Sequence, residues 1–248
     1  MLFSKKAIDK TLIFIIGSGR SGTHLLGRTV GHIAEVEAFI EDPKLFKKVT
    51  DVAINPNRKK SDIKKILKLY NSVFRQTNKS FVLEKTHPNI WLVEEILDYF
   101  ETAKFIGIKR NVYATIASML NHKGVLEWYN ILPLNQVNPF LGITEKNYEL
   151  FKDLPLESKC ALRWKSHYDR LTYLETKFPE NVLVVDYEDF YNDYNGLMIK
   201  LERFLKLENH INSEALISSN IDRWKSELTD DQIKNIDEVL EDNYTALV

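Results

Sequence analysis

A glycine-rich turn, GSGRSGTH, spans residues 17–24 and has the composition of an anion-binding loop. Gly17 and Gly22 have the spacing of a G-x-x-x-x-G loop, in which backbone N–H groups at the start of a helix surround a phosphate. A nucleoside triphosphatase follows the second glycine with a lysine for the β- and γ-phosphates and a hydroxyl for Mg²⁺. Thr23 and His24 occupy those two positions. The loop therefore suits a smaller phosphate-like anion better than ATP or GTP.

Polar side chains within the same turn add to its backbone donors. Arg20 carries a positive charge, and Ser21 and Thr23 carry hydroxyl groups that could donate to the same anion. We therefore predict an anion-binding loop made of six consecutive residues: Gly19, Arg20, Ser21, Gly22, Thr23 and His24.

A second junction with possible chemistry reads FIGIKRNVYATIASML over residues 105–120. Its apolar start predicts a strand, and its later spacing predicts a helix. Arg110 stands at the end of that strand, and Ser118 stands about two helical turns further on. A guanidinium and a hydroxyl placed in this way could converge on a second phosphate.

Strands and helices that could position these residues alternate along the chain. Short apolar runs predict buried strands at residues 11–17, 81–85, 103–110 and 181–190. Helical spacing and capping signals predict helices at residues 61–74, 88–100 and 229–240. This alternation predicts an α/β fold with a central parallel β-sheet flanked by helices in three layers. The 248 residues are 44% hydrophobic, which is enough for one domain that spans residues 1–248.

Together these motifs resemble the PAPS-dependent sulfotransferase family, whose donor is 3′-phosphoadenosine 5′-phosphosulfate (PAPS). The resemblance rests on GSGRSGTHLL, EKTHPN and the Arg110…Ser118 run, and it continues in VVDYEDF (184–190) and DRWKSELTDDQ (222–232). In that family the first loop binds the 5′-phosphosulfate, and an Arg…Ser pair binds the 3′-phosphate. The resemblance implies a P-loop-like fold and metal-independent, in-line sulfuryl transfer from PAPS, with PAP as the product. The acceptor implied is a hydroxyl or amine of a carbohydrate, lipid or small molecule.

The same resemblance implies three catalytic residues. Lys85, which ends the strand FVLEK, would stabilise charge on the bridging oxygen of the donor. His87 lies in a Lys-Thr-His run like that of small-molecule sulfotransferases, whose histidine is the base. Glu41 resembles the glutamate base of the carbohydrate and tyrosyl branches, and it would need a raised pKa. The base is therefore His87 or Glu41, with a narrow preference for His87.

Two further features complete the expected site. Arg223, followed by Trp224, resembles the carboxy-terminal segment that closes over the 3′-phosphate, although the family's fuller Arg-Lys-Gly form is absent. The chain also departs from the family at His24, where Ser or Thr is usual. Residues 127–154 give no clear periodicity, which predicts an irregular insertion that covers the acceptor.

Composition limits the other possibilities. The 34 Lys and Arg residues balance 35 Asp and Glu residues, so nothing indicates a nucleic-acid or membrane-surface partner. A single cysteine, Cys160, favours a cytoplasmic location, and no apolar run approaches the roughly 20 residues of a membrane span. The histidines and the cysteine show no metal-ligand spacing, so no metal site is predicted.

Two other functions fit parts of the pattern. A P-loop kinase of small molecules would share the glycine loop, but the residues after Gly22 lack its lysine and its Mg²⁺-binding hydroxyl. A non-catalytic nucleotide-binding module would keep the sites at Arg20 and Arg110 and would turn over no acceptor. The sequence does not predict the identity of the acceptor or the oligomeric state.

Overall fold

The structure is a computed structural model that describes residues 9–207 and 221–241. Its centre is a five-stranded sheet with the strand order β2-β3-β1-β4-β5, in which every neighbouring pair is parallel. This sheet confirms the predicted α/β class. The strands are β1 (Thr11–Gly17), β2 (Val36–Ile40), β3 (Phe81–Lys85), β4 (Lys104–Lys109) and β5 (Val182–Asp186).

Helices connect the strands and cover the sheet. The described α-helices are α1 (Thr23–Gly31), α2 (Phe46–Ala53), α3 (Lys60–Phe74), α4 (Val93–Tyr99), α5 (Val112–Leu120), α6 (Lys123–Ile131), α7 (Leu156–Lys177), α8 (Asp189–Asn192), α9 (Tyr194–Leu205), α10 (Trp224–Glu227) and α11 (Asp230–Glu241). Short 3₁₀ helices occur at His87–Trp91, Pro139–Leu141 and Phe151–Asp153. Within the described ranges, none of these helices combines the length and apolar character needed to cross a bilayer.

Apolar side chains fill both faces of the sheet. Along β1, Leu12, Phe14 and Ile16 belong to one core, whereas Ile13 and Ile15 belong to the other. This alternation follows from the two-residue period of a strand, and a strand buried on both faces needs the continuous apolar run that β1 has. Helix α3 packs in the first core and helices α1 and α9 pack in the second, which gives the three layers.

The parallel sheet decides where the site lies. Because all strands run in one direction, their carboxyl ends meet at one edge, and ligands of open α/β sheets bind there. Gly17 ends the central strand β1, with Lys85 at the end of β3 on one side and Lys109 at the end of β4 on the other. The glycine-rich loop, the Lys-Thr-His run and Arg110 therefore start from adjacent strands.

Four parts of the structure differ from the sequence prediction. The strand predicted at 181–190 ends at Asp186, and its last predicted residues enter α8, which begins at Asp189. Strand β2 was not predicted, because it is an edge strand with only Val36 buried and no apolar alternation. The single helix predicted at 88–100 is a 3₁₀ helix at His87–Trp91 followed by α4. The segment 127–154 is not wholly irregular, since α6 runs to Ile131 and crosses its expected start. Phe140, Leu141 and Phe151 of this segment are buried in a third apolar core with α7.

Candidate active site

The glycine-rich loop makes a tight turn from β1 into α1. Gly22 has a φ of +100°, and a Cβ atom there would lie 2.3 Å from the ring of Tyr187. The Ser21 hydroxyl donates to the carbonyl of Ser18 at 2.7 Å and closes the turn. Helix α1 begins at Thr23 with no side-chain cap from the described residues, so its first N–H groups stay free to bind an anion.

Arg20 of the glycine-rich loop is exposed and belongs to a second part of the site, next to Arg110 and Ser118. Its φ of +73° is unusual for a residue with a side chain, and such conformations cluster at ligand sites. The Arg20 Nε donates to Ser118 Oγ at 3.0 Å, and Arg110 Nη1 donates to the Arg20 carbonyl at 3.1 Å. Burial and the charge of Arg110 both lower the pKa of Arg20. The two arginines and the serine predicted to bind phosphate are therefore adjacent.

These residues surround a cavity of about 340 Å³, which we call the phosphate cavity. Its polar lining includes Arg20, Arg110, Ser118, Tyr187, Arg223 and Glu227. The guanidinium of Arg110 lies 4.3 Å from the centre of the Tyr187 ring, a cation–π contact that holds it at the wall. Arg223, expected from the sequence at this site, reaches the cavity from helix α10 and its preceding turn.

The carboxy-terminal wall of the phosphate cavity is tied to the rest of the protein by aromatic contacts. Trp224 stacks on Tyr113 of α5 with ring centres 4.7 Å apart, and the Tyr113 hydroxyl bonds to Asp237 of α11 at 2.5 Å. At the same wall, Arg223 Nη2 pairs with Glu227 Oε1 at 2.5 Å. A carboxylate thus occupies one side of an otherwise cationic cavity.

On the other side of the loop, Lys85, Glu41 and His24 form one connected group. Lys85 is 1% exposed, and its ammonium forms an ion pair with the Glu41 carboxylate. The His24 Nε2 lies 3.1 Å from the same carboxylate oxygen. Burial raises the pKa of Glu41, but the hydrogen bonds and charges of His24 and Lys85 outweigh it and lower the pKa to about 2. The upward shift that a Glu41 base needs is therefore absent in this arrangement.

His87 begins the 3₁₀ helix after β3 and is buried. Its Nε2 has no hydrogen-bond partner in the part of the chain that the structure describes. Burial lowers its pKa well below 6.5, and the positive charges of Lys85 and Arg163 add to the effect. The ring is therefore neutral at pH 7. A Cβ atom built on Gly19 would lie 3.5 Å from this nitrogen, so His87 faces the loop.

A buried carboxyl group holds the Lys-Thr-His run in place. Glu84 accepts hydrogen bonds from the Thr86 amide at 3.1 Å and from Asn89 Nδ2 at 2.6 Å, and also from the Thr86 hydroxyl. Burial raises the pKa of Glu84 to about 7, although the bonds from Thr86 oppose the rise. Sequence reasoning did not identify Glu84 as part of the site. The signal that could have found it is an acidic residue inside an otherwise apolar strand.

Arg163 of α7 is a second residue that sequence reasoning missed. It is fully buried, and a Cβ atom on Gly19 would lie 3.5 Å from its Nη2. We call Lys85, His87 and Arg163 the buried cluster. Gly19 faces this cluster, and the next residue, Arg20, faces the phosphate cavity. One loop therefore touches two charged sites.

In residues 9–207 and 221–241, no group of three or more His, Cys, Asp or Glu side chains could hold a metal ion.

Comparison with known proteins gives the family. A family model described as the sulfotransferase family matches residues 13–210. A search of curated proteins finds no match.

Solved structures share the fold over nearly the whole chain. The sulfotransferase domain of the Synechococcus PCC 7002 olefin synthase is 17% identical, with a TM-score of 0.55 and coverage of 97% of this chain and 98% of that one. A sulfotransferase from Alicyclobacillus acidocaldarius is 15% identical, with a TM-score of 0.53 and coverage of 94% and 96%. Mouse sulfotransferase SULT7A1, solved in complex with PAP, is 18% identical, with a TM-score of 0.54 and coverage of 96% and 85%.

Proposed function

The chain belongs to the sulfotransferase family, and from this premise we propose that it transfers a sulfuryl group from PAPS to an acceptor hydroxyl or amine. The main support is the phosphate cavity of about 340 Å³ beside the glycine-rich loop. Arg20, Arg110, Ser118 and Arg223 line that cavity, although they come from three separate parts of the chain. PAPS has a 3′-phosphate apart from its 5′-phosphosulfate, which matches a cationic cavity next to a separate anion-binding loop.

In the proposed complex the two anionic ends of the donor bind on the two sides of the loop. The 5′-phosphate binds to the backbone N–H groups at the start of α1, and Ser21, Thr23 and His24 lie beside it. The 3′-phosphate binds in the phosphate cavity, where Arg110 and Ser118 donate hydrogen bonds to it and Arg223 closes over it. Binding there would replace the contact between Arg20 and Ser118 and the pair between Arg223 and Glu227.

The proposed reaction is an in-line displacement at sulfur. The acceptor oxygen forms a bond to sulfur while the bond from sulfur to the bridging oxygen breaks, and the electron pair of that bond leaves with PAP. Negative charge grows on the bridging oxygen, and the buried Lys85 ammonium would stabilise it. The acceptor proton must pass to a base in the same step.

We assign the base to His87 rather than to Glu41. The ring of His87 is neutral at pH 7, so one ring nitrogen keeps a lone pair that can take the proton. Glu41 is a weak proton acceptor while its pKa is about 2, and its pairing with Lys85 fits a role in holding that ammonium. The segment 127–154 is the proposed cover of the acceptor, since its Phe140 packs beside the buried cluster at Arg163.

Calorimetric titration with PAP, ATP and ADP in the absence of Mg²⁺ tests the donor class. PAP should bind with a Kd on the order of micromolar or lower, and ATP should bind much more weakly, because the loop lacks the triphosphate lysine. ATP binding that equals PAP binding, or that requires Mg²⁺, would support the kinase alternative and contradict the proposal. Tight PAP binding without transfer to any acceptor class would support the non-catalytic module.

A further inference from the structure

Arg163 lies in the interior of the protein, and no described residue serves as its counterion. Its side chain is 0% exposed, and its three guanidinium nitrogens make no hydrogen bond with any described residue. The guanidinium instead packs over the ring of Phe140, 4.3 Å from its centre. Buried charges in proteins are normally paired and hydrogen-bonded, because an isolated one loses its hydration without compensation.

The neighbours of Arg163 do not neutralise it. Burial lowers the pKa of Arg163, and the Tyr129 hydroxyl is near enough to oppose this shift by a weak polar contact. The contact lacks the geometry of a hydrogen bond, and a neutral hydroxyl supplies no counter-charge. Burial raises the pKa of Tyr129 well above its usual range and raises that of Cys160 to about 11, so both are neutral at pH 7. The ion pairs of the described residues include no carboxylate partner for Arg163.

A second arginine of α7 shows what a paired guanidinium looks like in the same helix. Arg170 donates through two nitrogens to the two carboxylate oxygens of Glu94, and its Nε donates to the Ile90 carbonyl at 3.1 Å. Every part of that side chain has an acceptor. The contrast indicates that Arg163 does not belong to the ion pairs that the described part of α7 forms, and that its guanidinium is available to bind an anion.

The direction of Arg163 identifies the place where that anion would lie. A single point, the Cβ position of Gly19, is 3.5 Å from Arg163 Nη2 and also 3.5 Å from His87 Nε2. Both nitrogens are buried and without partners among the described residues. Two unsatisfied side chains therefore converge on the anion-binding loop at Gly19, and neither of them lines the phosphate cavity.

We propose that Arg163 is a catalytic residue that binds the oxygens of the sulfuryl group during its transfer. This inference rests on the proposed function, because PAPS supplies the sulfuryl group. The planar fork of a guanidinium matches two oxygens of one tetrahedral anion, and packing on Phe140 fixes its plane. Arg163 keeps its protons throughout and forms no covalent bond. Its task is to hold the sulfur in line between the acceptor oxygen and the bridging oxygen.

The difference between PAPS and PAP tests this assignment without knowledge of the acceptor. Only PAPS carries the sulfuryl group, so Arg163→Met should lower PAPS affinity about tenfold to a hundredfold and PAP affinity by no more than about threefold. Arg163→Lys should recover only part of the loss, because an ammonium cannot bind two oxygens as a planar fork. Lys165→Met removes one positive charge from the same helix at a position paired with Asp169, and it should change neither affinity.

Thermal unfolding of the ligand-free variants separates binding from folding. Arg163→Met removes an unpaired buried charge and should unfold at the wild-type temperature or higher. Equal losses of PAPS and PAP affinity, or no loss of either, overturn the assignment. A loss confined to transfer, with both affinities intact, would place Arg163 against the acceptor and would also overturn it. If wild-type protein binds neither ligand, the proposed function itself fails.

Discussion

The phosphate cavity and the buried cluster are both cationic, but they place their charges in opposite surroundings. Arg223 at the cavity has a side chain that is 62% exposed, whereas Lys85 in the cluster is 1% exposed. The cavity arginines already contact hydroxyl, carbonyl and carboxylate oxygens of the protein. In the cluster, Lys85 pairs with the Glu41 carboxylate, whereas His87 Nε2 and the three guanidinium nitrogens of Arg163 have no hydrogen-bond partner in the described residues.

This difference in burial and pairing indicates that the two regions have different roles in binding and in catalysis. Water and salt screen the charges of an open cavity, so each contact there adds a moderate amount to binding. Charges in a site without water interact far more strongly and need no reorganisation when charge develops on the substrate. We therefore expect changes in the phosphate cavity to alter PAP affinity. Changes in the buried cluster should leave PAP affinity nearly intact and should instead alter turnover or, at Arg163, the affinity for PAPS.

The largest expected effect is at Lys85. Lys85→Ala should slow turnover by about two or more orders of magnitude, because it removes the proposed partner of the bridging oxygen at the transition state. PAP affinity should fall no more than severalfold, and the control Lys47→Ala, at an exposed lysine paired with Asp51, should change neither value. Lys85→Arg should restore little turnover, since a planar fork replaces a compact ammonium. Loss of PAP binding with a normal rate at saturating donor would make Lys85 a phosphate anchor instead.

The next effect distinguishes the two candidate bases inside the cluster. His87→Ala should reduce turnover about a hundredfold or more while PAP binding stays nearly intact. Glu41→Gln keeps an oxygen that can accept from Lys85, so it should reduce turnover less than about tenfold. His32→Ala, at an exposed histidine after α1, serves as the control. If Glu41→Gln reduced turnover a hundredfold while His87→Ala stayed active, the base would be Glu41 and not His87.

A pH profile provides a separate check on His87. Because the pKa of His87 is lowered well below 6.5, its base form is present at pH 6.5 and is lost only as the pH falls further. The acid limb of kcat/KM should therefore lie below pH 6.5. The pH dependence of kcat/KM is measured for the wild-type protein and for His87→Ala, because the acid limb should disappear in the variant. A limb that persists unchanged in His87→Ala would assign it to another group.

In the phosphate cavity, Arg110→Ala should lower PAP affinity about tenfold to a hundredfold, because a charge-assisted contact is worth roughly 1.5–3 kcal/mol. The 3′-dephosphorylated analogue should lose little further affinity in this variant. Arg203→Ala, an exposed arginine of α9 outside the cavity lining, is the charge-matched control. If calorimetry finds the same loss for both ligands, Arg110 does not bind the 3′-phosphate.

The smallest expected effect comes from the carboxylate of the cavity. Glu227→Gln frees Arg223 from its ion pair and removes a negative charge near the proposed 3′-phosphate, so PAP should bind more tightly. An exposed pair is worth at most about 1 kcal/mol, which limits the gain to about fivefold. Glu238→Gln, in the exposed Lys234–Glu238 pair of α11, should leave PAP affinity unchanged. Weaker PAP binding in Glu227→Gln would mean that the pair positions Arg223 for the ligand.

The parts of the fold that were predicted correctly have local causes. Thr229 and Gln232 form the expected reciprocal capping bonds of α11, at 3.0 and 3.2 Å. The apolar runs of β1 and β3 lie at their predicted bounds because both strands are buried. Strand β2 was missed because its stability comes from pairing with β3 rather than from its own apolar pattern. The roles of the predicted site residues stay predictions until the variants are measured.

The glycine-rich loop, the strand ends at Lys85 and before Arg110, and the family could be predicted from sequence, because short-range spacing and glycine conformation govern these features. Which charges are buried and which are paired depends on the tertiary structure. Arg163 and Arg170 belong to the same helix and cannot be told apart by residue type. The first faces Gly19 and His87 without a partner among the described residues, and the second bonds to Glu94. The burial of Arg163 and the pairing of Arg170 with Glu94 depend on chain segments distant in sequence, and both strongly change the free energy of a charge.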